Sequence, residues 1–457
     1  MSQPQLAPLR SFILILGLLG SPAAVCSQQP ASGGDVLTLE QVIDIALQNN
    51  RSVKRAELEV GKSEDQVAIA KMRRLPSFSL NTLGTQLLTG LDFTFPQGAF
   101  GTYRGIGPIP TRETVISTPR RPVALILGQV AQPLSQLYRI KLNIEQLKLG
   151  EKMVREELRA QRQDIVNNVK RGYYGILQTQ SALESSEHAI RLYRELERVT
   201  GEYVAQQVVL LPEYLDVKTR LAKAQYEILV LHNLLATQKE QLNNTLGRDI
   251  RTDLIISPLL ASDQFVLRET DLAAAHERAL AQRPEVREAR LRVQRLEYDR
   301  RIKKAEAIPD ISLSLNYISL PQVSVLPKNA LGIGILVNLE PFDWGRRRRE
   351  LAEKDKTLEQ AKLAIREAEN LILIDVNSKF RKLQETSQLL KVTRMAQDAA
   401  RASLKVATFK YRVEASILKD LLQVQTLVAD ANYQYHKALL SFWTAKADFE
   451  KAIGEEK

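Results

Sequence analysis

Residues Leu39–Leu80, LEQVIDIALQNNRSVKRAELEVGKSEDQVAIAKMRRLPSFSL, and Leu272–Leu313, LAAAHERALAQRPEVREARLRVQRLEYDRRIKKAEAIPDISL, carry one pattern written twice. A shift of 233 positions aligns them without a gap, with identities at Leu39/Leu272, Ala46/Ala279, Leu47/Leu280, Val53/Val286, Ala56/Ala289, Leu58/Leu291, Val60/Val293, Glu64/Glu297, Lys71/Lys304, Pro76/Pro309, Ser79/Ser312 and Leu80/Leu313. Each copy is a long helical pattern that ends before a proline and passes at once into alternation, through Phe78 and Leu80 in one and Ile311, Leu313 and Leu315 in the other. Proline disfavours helical backbone at the residue before it, so the period changes from helix to strand at a defined point. A duplicated helix-proline-strand unit predicts two similar halves of one body.

Composition agrees with a folded, mainly helical chain: 457 residues, 44% apolar and 26% charged, with only 6% aromatic. One cysteine excludes a disulfide framework. His188, His232, His276 and His436 lie in helical patterns without metal-ligand spacing, and no phosphate loop accompanies them. No metal, cofactor or catalytic residue is therefore expected. The basic residues are interspersed with acids and are not interleaved with stacked aromatics, which argues against nucleic acid as a partner.

Residues 1–27 read as an export signal: Arg10, an apolar core from Phe12 to Gly20, and small residues from Ser21 to Ser27. Nine apolar residues are too few to span a bilayer. Cys26 follows small residues, as lipidated cysteines do, but Val25 fits such a site poorly; lipidation stays open. A linker, 28–38, follows. No later stretch has 18 consecutive apolar residues, so membrane insertion requires strands.

Thr38 with Gln41 forms a capping-box pattern, and one helix is expected from there to Leu75. A strand from Ser77, a Gly/Pro/Arg-rich loop from Pro96 to Pro122, and a strand from Val123 to Gln132 come next. In the second half, Ile311, Leu313, Leu315 and Tyr317 alternate with Ser312, Ser314 and Asn316. Leu331, Ile333, Ile335, Val337 and Leu339 alternate with Gly332, Gly334, Asn338 and Glu340. Ten-residue strands with one apolar and one small or polar face suit a transmembrane barrel wall, although an ordinary half-buried antiparallel sheet shares the pattern.

Pro133 and Pro341 lead into long helical patterns ending near Gln207 and Arg412. Shorter helices return from Pro212 to Leu246 and from Ile417 to Ile453; they duplicate each other at an offset of 207, and each ends in a C-capping glycine, Gly247 or Gly454. Heptads are plain: Leu221, Ile228, Leu235 and Leu242 in one helix, and in the other Val428, Tyr435, Phe442 and Phe449 beside Ala431, Ala438, Ala445 and Ala452. Such a repeat with small residues specifies close, supercoiled helix pairing. The long helices span about 110 Å and the short ones about half that, so two short helices stacked end to end match one long one.

The domain plan that follows is a first repeat, 39–247, with its hairpin at 77–132; a mid-height linker, 248–271; and a second repeat, 272–457, with its hairpin at 310–340. Four strands cannot close a barrel, and open edges do not survive in lipid, so the chain must associate around an axis.

Taken together, these residues resemble the TolC-type outer-membrane efflux proteins of Gram-negative bacteria. The resemblance runs from Leu37-Thr-Leu-Glu-Gln-Val-Ile-Asp-Ile-Ala-Leu-Gln-Asn-Asn50 to Ile453-Gly454. It is most specific in that opening, its copy Asp271–Val293, the proline-strand junctions Pro76, Pro309, Pro133 and Pro341, and Glu340-Pro-Phe-Asp-Trp-Gly-Arg346. It implies a homotrimer in which twelve strands form one outer-membrane barrel, continued by a helical tunnel into the periplasm. It implies a passive exit duct for an inner-membrane transporter, of an efflux pump or a type I secretion system, joined by a periplasmic adaptor.

The family carries acidic residues at the narrow mouth, in the helix after the second turn. Alignment on Tyr411 places Asp420 and Gln423 there, and Glu213 is the duplicate of Asp420. Acids complementing a helix N-terminus account for them equally well. Adaptor contacts are expected at the turns, at Gln206, Val208, Glu414 and Ser416; Gln206 and Glu414 stand where the family has glycine. Arg346, Arg347 and Arg348 are candidates for outer-membrane lipid headgroups. The competing reading is a periplasmic coiled-coil adaptor or structural protein.

Overall fold

The computed structural model describes residues 36–457 except 119, 121, 209, 258–270, 322–327, 414 and 457. The expected signal at 1–27 with Cys26, most of the 28–38 linker, part of the mid-height linker and the adaptor candidate Glu414 lie outside the described residues. In chain order the helices are α1 Leu39–Asn49, α2 Arg51–Met72, α3 Gln136–Ala205, α4 Leu211–Thr245, α5 Leu272–Gln282, α6 Pro284–Ala305, α7 Arg346–Arg412 and α8 Leu418–Ala452. The strands are β1 Ser77–Gln86, β2 Leu91–Phe95, β3 Thr102–Tyr103, β4 Gly107–Pro108, β5 Thr114–Thr118, β6 Pro122–Pro133, β7 Asp310–Ser319 and β8 Asn329–Asn338.

The capping box forms as expected: Thr38 Oγ1 accepts from Gln41 N at 3.4 Å, and Gln41 Oε1 accepts from Thr38 N at 2.9 Å. The helix it opens does not run unbroken to Leu75. It stops at Asn50, whose extended backbone (φ −61°, ψ 129°) starts α2 in a new direction. The second half breaks at the equivalent residue, Arg283 (φ −60°, ψ 127°).

Asn50 acts as an N-cap, its Oδ1 accepting from Ser52 N at 2.8 Å and Val53 N at 3.3 Å, whereas Pro284 occupies the first helical position in the other copy. Each corner residue also satisfies the end of a returning helix: Asn50 Nδ2 donates to Thr245 O at 2.7 Å, and Arg283 Nη1 donates to Ala452 O at 3.3 Å. Helical periodicity cannot show such a break, because the apolar face continues through it.

The corners are also where the glycine caps fit. Gly247 (φ +70°) lies against Asn49, and Gly454 (φ +87°) lies against Gln282. α2 and α4 therefore meet end to end in one column, and α6 and α8 in another. These columns flank α3 and α7: toward the strands the neighbours run α2, α3, α6, α7, and toward the other end α4, α3, α8, α7.

α1 covers the middle of the wall, burying Val42, Ile43 and Ala46, with Val53 of α2, against Val166, Val169, Tyr173 and Ile176 of α3 and Leu242, Leu254 and Ile256. α5 repeats this with Ala275 and Ala279 against Ile372 and Val376 of α7 and Phe442 and Phe449 of α8. Each fully buried aliphatic or aromatic side chain contributes about 1.5–3 kcal/mol. The alanine column does what its size predicts: Ala438, Ala445 and Ala452 are buried, letting α8 approach closely.

β1, β6, β7 and β8 form one antiparallel sheet in that order, leaving β1 and β8 as its edges. The register Phe78↔Val130↔Leu315↔Ile333 places the apolar set on one face, and Ser79↔Gln129↔Asn316↔Gly332 places polar and small residues on the other. Nothing in the described chain covers the apolar face: Phe78 is 79% exposed and Ile333 75%. A half-buried sheet would have packed that face against helices. The 96–122 segment also differs from the expected loop, since β2 pairs with β5 and β3 with β4, extending the first hairpin beyond the sheet. Its glycines and prolines mask the short alternations that make these strands.

Candidate functional site

The far end of the helices presents two turns. In the first, Gln206 has φ −87° and ψ 3°, and the next residue, Gln207, takes a left-handed backbone at φ +59°. The turn's glycine-like position is therefore Gln207, one residue after the Gln206 that sequence alignment suggested. A left-handed backbone costs a residue with a side chain about 1–2 kcal/mol. Gln207→Gly is expected to raise stability by up to about 1 kcal/mol, read as a higher melting temperature of the purified protein; a lower one would show that the glutamine side chain holds the turn.

Beyond this turn Pro212 and Glu213 open α4. Beyond the second turn Asp420 lies in the first turn of α8, its Oδ2 accepting from Ser416 Oγ at 3.0 Å. Gln423 is exposed on the same helix. The structure brings Glu213 close to Lys419, with Oε2 and Nζ 3.9 Å apart. Lys419 thus partly neutralises one of the two expected acids. The 207 offset aligns Lys419 with Pro212, so the sequence shows that the acidic pair is asymmetric but not that Lys419 meets Glu213.

Apolar side chains also crowd this end: Val208, Leu210, Leu211, Val413 and Ile417 are all more than half exposed. Val208 was singled out as a contact; Leu210, Leu211 and Val413 lie in the turns expected to meet the adaptor, 204–211 and 412–416, and Ile417 lies just past them. Gln206 is exposed and Ser416 is half-buried.

At the opposite end the proline junctions lock to one another. Ser135 Oγ, two residues after Pro133, donates to Pro309 O at 2.7 Å and accepts from Ile311 N at 2.8 Å. Arg139 pairs with Asp310 at 2.6 Å, and Gln132 Nε2 donates to Arg74 O at 3.0 Å, tying the Pro76 junction to β6. After Pro341, Asp343 accepts from Gly345 N at 3.0 Å and Arg347 N at 3.3 Å. These backbone donors hold its carboxyl below the usual range. Arg346 pairs with Glu340 at 2.6 Å and Glu350 at 3.3 Å, and Arg347 with Glu340 at 3.4 Å and Asp343 at 3.5 Å. Of the three lipid candidates, two are engaged within the chain, and Arg348 is exposed.

The histidines are spread along the helices: His188 contacts Arg191, His276 contacts Asn377, and His436 lies edge-on to Tyr435. Among the described residues no cluster of His, Cys, Asp or Glu is placed to hold a metal ion, and no helix is long and apolar enough to cross a membrane.

The family model for outer membrane efflux proteins matches residues 42–248 and 275–455. This chain belongs to the outer membrane efflux protein family. No curated protein matches the sequence. Solved structures share the fold. CusC, described in terms of transmembrane channel formation, superposes with a TM-score of 0.73 at 16% identity, over 94% of this chain and 96% of its own. The CmeC outer membrane channel of Campylobacter jejuni gives 0.72 at 14% identity, over 99% and 94%. VceC, an outer membrane protein of Vibrio cholerae, gives 0.70 at 15% identity, over 91% and 96%.

The TolC-type resemblance is thereby borne out, and with it the mainly helical fold with a small transmembrane β part. This efflux protein resides in the outer membrane and reaches into the periplasm, and it serves as an exit duct for efflux. The family is one of channels. Nothing favours the adaptor alternative.

Proposed function

We propose that three copies of this efflux protein close one barrel and one tunnel, forming a passive duct between a periplasmic adaptor with its inner-membrane transporter and the cell exterior. The observation that carries this reading is the sheet, with an uncovered apolar face and two unpaired edges, β1 and β8. Each edge needs a partner strand in lipid, and β8 of one copy beside β1 of the next supplies it. The free flanks of the helical wall, α2 and α4 on one side and α7 on the other, follow the same order. α7 presents exposed Leu363, Ile374, Val392 and Val406 along its length, an apolar stripe suited to a neighbouring copy. The mass of the detergent-solubilised complex tests this; a stable monomer would sink it.

The apolar tips around Val208, Leu210, Val413 and Ile417, with Gln206, Glu414 and Ser416, are the surface on which the adaptor docks. Asp420, Glu213 and Gln423 line the mouth beside it. Three copies place three Asp420 carboxylates there, and Lys419 offsets the Glu213 set, so Asp420 supplies most of the negative field. Asp420→Ala is expected to reduce cation preference and raise conductance in planar bilayers. Unchanged single-channel behaviour would remove Asp420 from the gate. Arg348 meets lipid headgroups while Arg346 and Arg347 brace the junction, a reading supported by the ion pairs that the latter two make within the chain.

A further inference from the structure

Residues of a supercoiled helix separated by whole heptads share a face, so Asp448, four heptads after Asp420, looks the same way as the acid at the mouth. Other faces of α8 are taken at this height: Phe442, Ala445 and Phe449 pack with Ile372 and Val376 of α7, and Leu440 and Ala447 join the core of α1 and α3. Asp448 is left between the two long helices, its Oδ1 accepting from Asn167 Nδ2 of α3 at 3.0 Å. Arg171 Nη1 of α3 and Lys379 Nζ of α7 each stand 3.9 Å from its carboxylate, too far for a direct hydrogen bond, so both cations keep donors for another acceptor.

Beside Asp448 opens a cleft of about 320 Å³, lined also by Ser378, Lys379, Arg381, Lys382, Glu385 and Ala445. Lys382 pairs with Glu385 at 2.8 Å, whereas Arg381 is exposed and makes no ion pair within the described chain. Four cations thus stand against two acids, and both acids are already engaged. Elsewhere on α7 exposed cations find acids one turn away, as Lys362 finds Glu359 and Arg346 finds Glu350; here a surplus remains. A neighbouring copy would not cancel it. Lys379 lies one turn from Asp375, which pairs with the corner residue Arg283, so the next copy's equivalent corner, Asn50, comes to the same height. Around that corner Arg51, Lys54 and Arg55 are exposed, and the first acid of α2, Glu57, is paired with Arg162.

We propose that Arg171, Lys379, Arg381 and Lys382 form a binding station for the phosphate or carboxylate group of exported cargo, repeated in each copy around the middle of the duct. The inference rests on the duct reading, which makes the face shared with Asp420 the lumen. The field then reverses sign along the path, with carboxylates at the mouth and cations beyond it. In a water-filled passage walled by protein, clustered charges of one sign raise the local concentration of the opposite ion. An anionic molecule driven past the mouth meets a favourable site inside and is held from falling back, while neutral cargo passes without stopping. Asp448 tempers the site, so that binding stays weak enough for onward release.

Block of the full-length channel in planar bilayers by inorganic tripolyphosphate tests the station. Lys379→Gln combined with Lys382→Gln should raise the half-blocking concentration roughly tenfold at low salt, a difference that shrinks as ionic strength rises. Asp448→Asn should lower it, because an acid is removed and every cation stays; loss of a purely structural contact would not tighten the block. Lys362→Gln, which removes a paired cation nearer the strands, should leave it unchanged. A wild-type channel that tripolyphosphate does not block, equal block in all variants, or weaker block in Asp448→Asn each overturns the station. Failure of the duct reading looks different: the wild type then forms no stable conductance before any probe is added, and the station falls with it.

Discussion

Gly247→Ala is expected to destabilise the helical wall by about 2–5 kcal/mol, adding a left-handed backbone penalty to overpacking against backbone. The added Cβ would lie 2.4 Å from Asn49 O and 2.8 Å from its carbonyl carbon. Neither neighbour can yield freely, because Asn49 ends α1, and Asn50 after it is tied to Thr245 O, two residues before Gly247. Gly454→Ala meets Gln282 at 3.0 Å and 3.1 Å, so the same change there should cost less. Thermal or denaturant unfolding of the detergent-solubilised protein checks both. Equal or negligible losses would mean that the corners move apart freely and that the column is not packed end to end. The expected order, Gly247→Ala worse than Gly454→Ala, follows from space alone, since both positions have positive φ.

Ile333→Arg should prevent assembly into the outer membrane, while Gly332→Ser, one residue away, should be tolerated. Ile333 stands in the middle of β8 on the apolar face, opposite Leu315, and a midplane arginine facing lipid costs about 2–4 kcal/mol. Gly332 points to the other face, opposite Asn316, and a Cβ there meets nothing within 4 Å. Outer-membrane fractionation with heat-modifiable gel mobility reads the outcome. If both variants assembled alike, or Gly332→Ser alone failed, the assignment of faces would be wrong.

The duplicated helix-proline-strand unit was legible because proline and alternation are local signals, and they placed all four long strands. Heptads and glycine caps were legible for the same reason, and they predicted the paired helices and the ends of α4 and α8. The corner at Asn50 was not, since it stands within a continuous apolar stripe and is fixed by its contact to Thr245, 195 residues away in sequence; Arg283 stands in the same stripe, where Pro284 is a local break signal that the continuing periodicity hid. At the tip, the acids were visible as N-terminal residues, but Lys419 beside Glu213 required the two turns to be brought together in space. The left-handed Gln207 was invisible too, because no residue type there announces a positive φ.

The unpaired edges β1 and β8 carry a consequence for biogenesis. A single-chain barrel can enter a membrane one molecule at a time, since its own last strand meets its first. On the proposed three-copy barrel, a lone sheet would carry open edges into lipid, so insertion would wait on encounter between chains. The rate of entry should then rise with a higher-than-first power of the concentration of periplasmic subunits. Slow secretion would starve the final step, and dilution during refolding would leave helical monomers with their strands still in water.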